Sequence, residues 1–233
     1  MNIIHIIPNL RKGGAERLVL DICNELVEKN GVKVLLVTFS NENQYPEIIS
    51  GIPWKVAEVN IKLSLWKPNE INISSLQKII DEFKPDVIHS HLFYAEIISR
   101  FCDYPSAKWF SHGHDNMVQF NLFSIKSLLS KGKITNFYEK RLVFNEYEKK
   151  RNHFIAISNN SRVFLQKTIK KHPITLLHNA INYNKFYKKK GLSSGKKLVL
   201  TTVGSLVNKK NQTFLIDVVY ALKDKGVELE LHI

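Results

Sequence analysis

The strongest constraint on the fold is a repeated change of rhythm. Short, unbroken apolar runs alternate with longer stretches whose apolar residues recur every three or four positions. "NIIHII", ended by Pro8, is the first run, and Ala15, Leu18, Val19, Ile22 and Leu26 then repeat at helical spacing. Further runs follow at "VKVLLVTF", "WKVAEV", "DVIHSH", "KWFSH", "HFIAIS" and "ITLLHN", with helical patterns such as "ISSLQKIIDEF" between several of them. A strand with a solvated face alternates polar and apolar residues; a strand covered on both faces reads as a continuous apolar run. This order therefore predicts a parallel sheet with helices on both sides, a doubly wound α/β domain over residues 1–185.

The next segment, within residues 186–197, carries "YKKKGLSSGKK" from Tyr187 onward, polar and rich in glycine and serine, which is a linker composition. Residues 198–233 begin again with a buried strand, "KLVLTTVGS". A helix on which Phe214, Val218 and Leu222 share a face follows, then a last strand, "VELELHI". One β-α-β unit is the opening of a second domain and has too little apolar surface to close a core alone.

Charge narrows the partners. Lys and Arg total 34 against 21 Asp and Glu, a net charge of +13, concentrated in Ile125 to Arg151 and Asn184 to Lys197. Such a surface suits anionic partners: nucleic acid, anionic lipid or a phosphorylated substrate. No recognised nucleic-acid motif accompanies the charge, so that reading ranks last. The first basic stretch also holds Phe137, Tyr138, Phe144 and Tyr147, which either pack inward or lie on a membrane surface. The opening run is too short for a signal peptide, and no stretch nears the ~20 apolar residues that span a bilayer. Cys23 and Cys102 sit in apolar helical patterns and read as buried thiols, consistent with a cytoplasmic protein.

In an open parallel sheet, ligands gather beyond the carboxyl ends of the strands. Four features fall on that rim. Gly13 and Gly14 in "RKGGAE" let an anion approach backbone N–H groups at a helix N-terminus. His89 and His91 in "PDVIHSH", then His112 and His114 in "FSHGHD", form two His-x-His pairs, each expected on one face of its strand. Lys209 and Lys210, just after Gly204, stand where a lysine neutralises a departing phosphate. Four histidines on one rim are a conceivable metal set, but only Asp115 shares their spacing as a carboxylate, and a substrate or acid/base role is favoured. His89 also reads as a core histidine, and so does His5 in mid-strand. The chain has no G-x-S-x-G elbow, no H-E-x-x-H and no Walker A loop, which sets aside hydrolase and P-loop readings.

In this order the features resemble the family 4 glycosyltransferases, which have the two-domain GT-B fold. The resemblance rests on "GGAE", "PDVIHSH", "HGHD", "FIAIS" with Asn159 to Ser161, "LLHNAINYNKF" and "VGSLVNKKNQ". It implies an N-terminal acceptor domain, a linker, and a C-terminal domain that holds a nucleotide-sugar donor. It also implies transfer with retained configuration to a glycan or lipid-linked acceptor, no metal, and a place in bacterial surface-polysaccharide assembly. Carried over residue by residue, Gly13, Gly14, Ser205 and Lys210 bind the donor. His114 lies near the transferred sugar, with His112 as the other register, and His89, His91 and Asp115 face the acceptor. Ser205 replaces a common phosphate-binding arginine; Ala180 and Asn182 replace the usual glycine and aspartate of the "NGVD"-like turn. The family's paired-glutamate motif has no counterpart up to Ile233. The expectation is an acceptor domain plus the first β-α-β of a donor domain, inactive in sugar transfer by itself. A non-catalytic acceptor- or membrane-binding module and a GT-B nucleotide-sugar epimerase remain as alternatives.

Overall fold

The computed structural model describes residues 1–62, 68–114, 131–169, 171–181, 183, 198–204 and 206–233. The 186–197 linker, Asp115, Asn182, Ser205 and residues 125–130 of the first basic stretch lie outside the described residues. The chain divides into two compact units, Met1–Asn182 and Tyr183–Ile233.

The first unit is built on a seven-stranded sheet: β1 (Asn2–Ile7), β2 (Lys33–Thr38), β3 (Trp54–Val56), β6 (Val87–His91), β7 (Lys108–Gly113), β8 (His153–Ala156) and β9 (Ile174–Leu176). Their order is β3-β2-β1-β6-β7-β8-β9, and every pair is parallel. All seven expected strands are present. Two short strands, β4 (Asn60–Lys62) and β5 (Glu70–Asn72), form a separate antiparallel ribbon. The helices are α1 (Gly14–Val27), α2 (Pro46–Ile49), α3 (Ser74–Phe83), α4 (Phe93–Arg100), α5 (Lys131–Lys149) and α6 (Asn159–Thr168).

Period-two alternation divides the sheet residues between two cores. Ile4, Ile6, Leu35, Val37, Ile88, Trp109 and Phe154 face one side, where Leu76 and Ile80 of α3, Ile98 of α4, Tyr147 of α5 and Leu165 of α6 complete the packing. Ile7, Val34 and Leu36 face the other side with Val19, Leu20 and Cys23 of α1. Both thiols are fully buried, and burial pushes each up to about 12, so neither is a nucleophile at neutral pH. The aromatics of α5 divide: Tyr147 is buried and Phe144 packs against the core, while Phe137 is 44% exposed. Core packing, not a membrane face, thus accounts for Phe144 and Tyr147.

The second unit pairs β10 (Leu198–Thr201) in parallel with β11 (Leu229–His232) through α7 (Gln212–Lys223). A 3-10 turn, Asn208–Lys210, precedes α7. Several apolar residues here are exposed, among them Val203, Leu206, Phe214 and Tyr220. Among the described residues, no helix is long and apolar enough to cross a membrane.

Candidate functional site

Strand order creates the site. From β1 the chain moves outward through β2 to β3, and β6 then returns to the opposite side of β1. The connections diverge at the carboxyl ends of β1 and β6, the switch point at which such sheets bind ligands. Three of the four rim features sit in the loops and strand ends on this side of the first unit.

The loop after β1 is tied down. Gly13 has an extended backbone and caps α1, and its N–H donates to the Tyr45 hydroxyl at 3.0 Å while that hydroxyl donates to the Gly13 carbonyl. The Lys12 N–H donates to Gln44 Oε1 at 2.8 Å. The space a Gly13 side chain would fill holds the Glu16 carboxylate, 2.2 Å from where a Cβ would stand. Around Gly14 nothing lies within 4 Å of that position. The anion-ready N–H expected at Gly13 is thus already engaged, and Gly14 is the open one of the pair. Glu16 was visible only as the last residue of "GGAE", and Tyr45, 32 residues from Gly13, carried no sequence signal for this contact.

The histidines come together from three strands. Register pairs His5 with His89 and His91 with His112, so side chains on one face of β1, β6 and β7 become neighbours. Within the pairs, the His89 and His91 ring centroids are 4.1 Å apart, and those of His112 and His114 are 4.4 Å apart and stacked at 11°. His89 stacks on His112 at 5.3 Å and 6°. His5 Nδ1 lies 3.0 Å from His91 Nε2, and His91 Nδ1 lies 3.2 Å from His114 Nε2. His5 is therefore not an isolated core histidine but the buried end of this cluster. Its Nε2, that of His89 and both ring nitrogens of His112 are buried without a hydrogen-bond partner.

Burial decides the charge state. Removal from water disfavours the imidazolium, and each neighbouring ring would repel a second charge. Burial, then the nearby His112, lowers His5 to about 4 and His114 to about 3. Burial alone lowers His112 to about 4. His89 and His91 are lowered well below the ordinary value, by burial first and by the surrounding histidines second. At neutral pH the rim presents neutral rings that donate and accept hydrogen bonds. The backbone just after His91 is strained: Leu92 has φ 67 and ψ 150, a region that a leucine occupies at a cost of roughly 1–3 kcal/mol. Such outliers concentrate at functional turns.

The last feature is in the second unit. The aliphatic stem of Lys210 lies 3.6 Å from where a Gly204 side chain would stand. The Lys210 N–H donates to the Val207 carbonyl at 2.8 Å, within the turn leading to α7.

The family model of Glycosyltransferase Family 4 matches residues 12–185, three-quarters of the chain. The chain belongs to glycosyltransferase family 4. No curated protein matches the sequence. Among solved structures the chain resembles TarM, at 10% identity and a TM-score of 0.67, covering 99% of this chain and 71% of TarM. A mutant of S. aureus TarM in complex with fondaparinux, alpha-GlcNAc-glycerol and UDP gives 10% identity, a TM-score of 0.61 and the same coverage. A glycosyltransferase from Rickettsia africae gives 13% identity and a TM-score of 0.57, covering 99% of this chain and 67% of that one. At such identities the likeness concerns the fold, which is GT-B.

Proposed function

We propose that this family 4 chain belongs to an enzyme that moves a sugar from a nucleotide-sugar to a glycan or lipid-linked acceptor. In this reading the transfer retains configuration, needs no metal, and serves bacterial surface-polysaccharide assembly at the cytoplasmic side of the membrane. The observation that carries the proposal is the neutral histidine cluster at the switch point of a family 4 domain. The UDP and alpha-GlcNAc-glycerol held by the S. aureus TarM mutant support the assignment of donor and acceptor classes.

The residue roles follow from charge and position. His114, neutral and only partly exposed, hydrogen-bonds the transferred sugar, with His112 beside it. Their neutrality means that these rings orient oxygen atoms and do not supply positive charge. His89 and Asp115 belong to the acceptor side, whereas His91, expected there too, is fully buried with its two ring nitrogens engaged by His5 and His114. Gly14, the open one of the pair, brings backbone towards the donor diphosphate, while Gly13, expected to share that role, is tied to Tyr45 and holds the turn. Lys210 supplies the fixed positive charge that a leaving diphosphate requires, and Ser205, in place of the common arginine, adds only a neutral hydroxyl.

The test is sugar transfer by the full-length protein with a panel of nucleotide-sugars and membrane acceptors, read as release of nucleoside diphosphate. His114→Ala is expected to lower kcat about tenfold or more while donor KM stays within a few-fold, because a group beside the reacting centre acts mainly in the transition state. Near-normal turnover in both His114→Ala and His112→Ala would overturn the assignment.

A further inference from the structure

Three of the five histidines form a line. His5 Nδ1 faces His91 Nε2 at 3.0 Å, and His91 Nδ1 faces His114 Nε2 at 3.2 Å. A neutral imidazole carries one N–H donor and one acceptor nitrogen, so each contact needs a proton from one side only. His91 uses both nitrogens, and the two contacts must therefore run in the same direction.

The buried end selects that direction. If protons pointed from His114 towards His5, His5 would accept at Nδ1 and carry its own proton on Nε2. That nitrogen is buried without a partner, and an orphaned buried N–H is among the costliest polar defects in a protein interior. In the opposite direction His5 donates from Nδ1, and only a bare lone pair remains at Nε2. His91 then carries its proton on Nδ1 and donates to His114 Nε2, which leaves the His114 proton on Nδ1.

We propose that His5 and His91 form a one-way hydrogen-bond relay that fixes His114 as its Nδ1–H tautomer. His5 and His91 are thereby positioning residues for His114. Its one nitrogen outside the relay is a donor, so the ligand atom it recognises is an acceptor oxygen, such as that of a sugar hydroxyl. The same geometry keeps His114 from serving as a general base through Nε2. The meaning of the relay for sugar transfer rests on the role proposed above for His114; the tautomer itself does not.

A metal ion is the competing account. His5, His89 and His91, and likewise His91, His112 and His114, each bring three ring nitrogens within 4.8 Å of one another. An imidazole binds a metal along its lone pair, in the plane of the ring. The His112 and His114 rings are stacked at 4.4 Å and only 11° apart, so their planes do not converge on one ion. Any ion on His91 Nδ1 would also displace the proton that the 3.2 Å contact accommodates. The relay needs no ring to turn.

Two-bond ¹H–¹⁵N correlation spectra of the full chain at pH 7.5, from metal-free buffer, test the proposal without reading turnover. Failure of the relay and failure of the proposed sugar transfer are thus separately visible. The expected spectrum shows His5, His91 and His114 all as Nδ1–H tautomers, the form less favoured by a free imidazole. His91→Ala should move His114 towards Nε2–H. His91→Asn, whose amide can replace the donating nitrogen, should hold His114 as Nδ1–H. His114 as Nε2–H in the wild-type chain would overturn the relay, and this observation needs no variant to fold. So would an unchanged His114 pattern in folded His91→Ala. One equivalent of transition metal retained through dialysis against chelator would replace the relay with a metal centre.

Discussion

Five imidazoles held neutral in a protein interior link stability to pH. A histidine whose folded pKa lies below its ordinary 6.5 binds fewer protons folded than unfolded between those values, so stability rises with pH in that window. Here the contribution is present above about 6.5 and is lost as pH falls towards about 4, the value to which His5 and His112 are lowered. Glu96 acts in the opposite sense. Burial raises it from 4.5 to about 7, against the hydrogen bond from Tyr147 and the charge of Arg100, so its contribution is present below 4.5 and fades as pH rises through 7. One carboxyl opposes five coupled rings, whose joint contribution is less than the sum of the separate ones. Urea midpoints should therefore fall as pH drops from 7 to 5, and Glu96→Gln should steepen that fall. A midpoint that stays level or rises on acidification would contradict the buried neutral cluster. A second residue-scale expectation concerns the glycine turn. Gly14 is helical, and a side chain there meets nothing, so Gly14→Ala should leave the fold intact or stabilise it by about 0.5–1 kcal/mol. If donor affinity nevertheless drops in the full-length protein, the ligand itself approaches that backbone; unchanged affinity would remove Gly14 from the donor site.

Helix α4 shows how an element can carry its own polar framework into a core. Its residues Ala95 to Arg100 are all buried, and Arg100 Nη2 donates to Ser111 Oγ at 2.9 Å and to Asn152 Oδ1 at 2.5 Å. The guanidinium stands over the Trp109 and Tyr147 rings, and the Tyr147 hydroxyl of α5 donates to Glu96 Oε2 at 2.5 Å. Tyr147→Phe keeps the ring packing but leaves a buried carboxyl without its donor, an expected loss of about 1–3 kcal/mol in urea unfolding. A neutral result would mean that water takes the place of the hydroxyl. Arg100→Ala should cost more, about 3–5 kcal/mol, because it opens a cavity beside Trp109 and Tyr147 and removes the donor shared by Ser111 and Asn152. This helix was only partly visible in the sequence, as the apolar helical pattern read around Cys102, a residue that lies just past its end. "FYAEIISR" has charged residues at buried positions, so its polar pattern marks no solvent face. The β4–β5 ribbon escaped, since each of its three-residue strands offers a single isoleucine to an apolar count. The central strands β1 and β2 were legible because burial on both faces writes itself as an unbroken apolar run, while the edge strands β3 and β9 are only partly buried. The His-x-His pairs were legible for a similar reason: strand periodicity fixes which side chains share a face. The place of His5 was not, because its pairing with His89 depends on β6 returning beside β1, and strand order is not a local property. The same holds for Tyr45, which reaches Gly13 from 32 residues away.

At the scale of the whole molecule the dominant fact is the net charge of +13. A field of that sign raises the local concentration of anionic partners and does so over a distance set by salt, about 10 Å at 0.1 M. If the acceptor is carried on a lipid, an anionic membrane is the partner this charge would meet first. Helix α5 is one place for the contact: Arg141 is exposed there, Lys140 lies next to it, and the neighbouring core is closed by Phe144 and Tyr147. Among the described residues of α5, Leu142, Phe144 and Tyr147 are spent on packing and Phe137 is exposed, so attraction to a membrane has to come mainly from charge. The expected behaviour follows. The chain should bind vesicles containing phosphatidylserine, should bind neutral vesicles weakly, and should release as salt rises, since each basic residue near the surface contributes roughly 1 kcal/mol through a screened interaction. Reversing two charges with Lys140→Glu and Arg141→Glu should then weaken sedimentation with anionic vesicles by roughly tenfold or more, while the circular dichroism spectrum stays unchanged. Binding that ignores salt and lipid charge would point to inserted apolar side chains. Salt-sensitive binding to anionic vesicles that is unchanged in the double variant would move the contact elsewhere on the basic surface and away from α5.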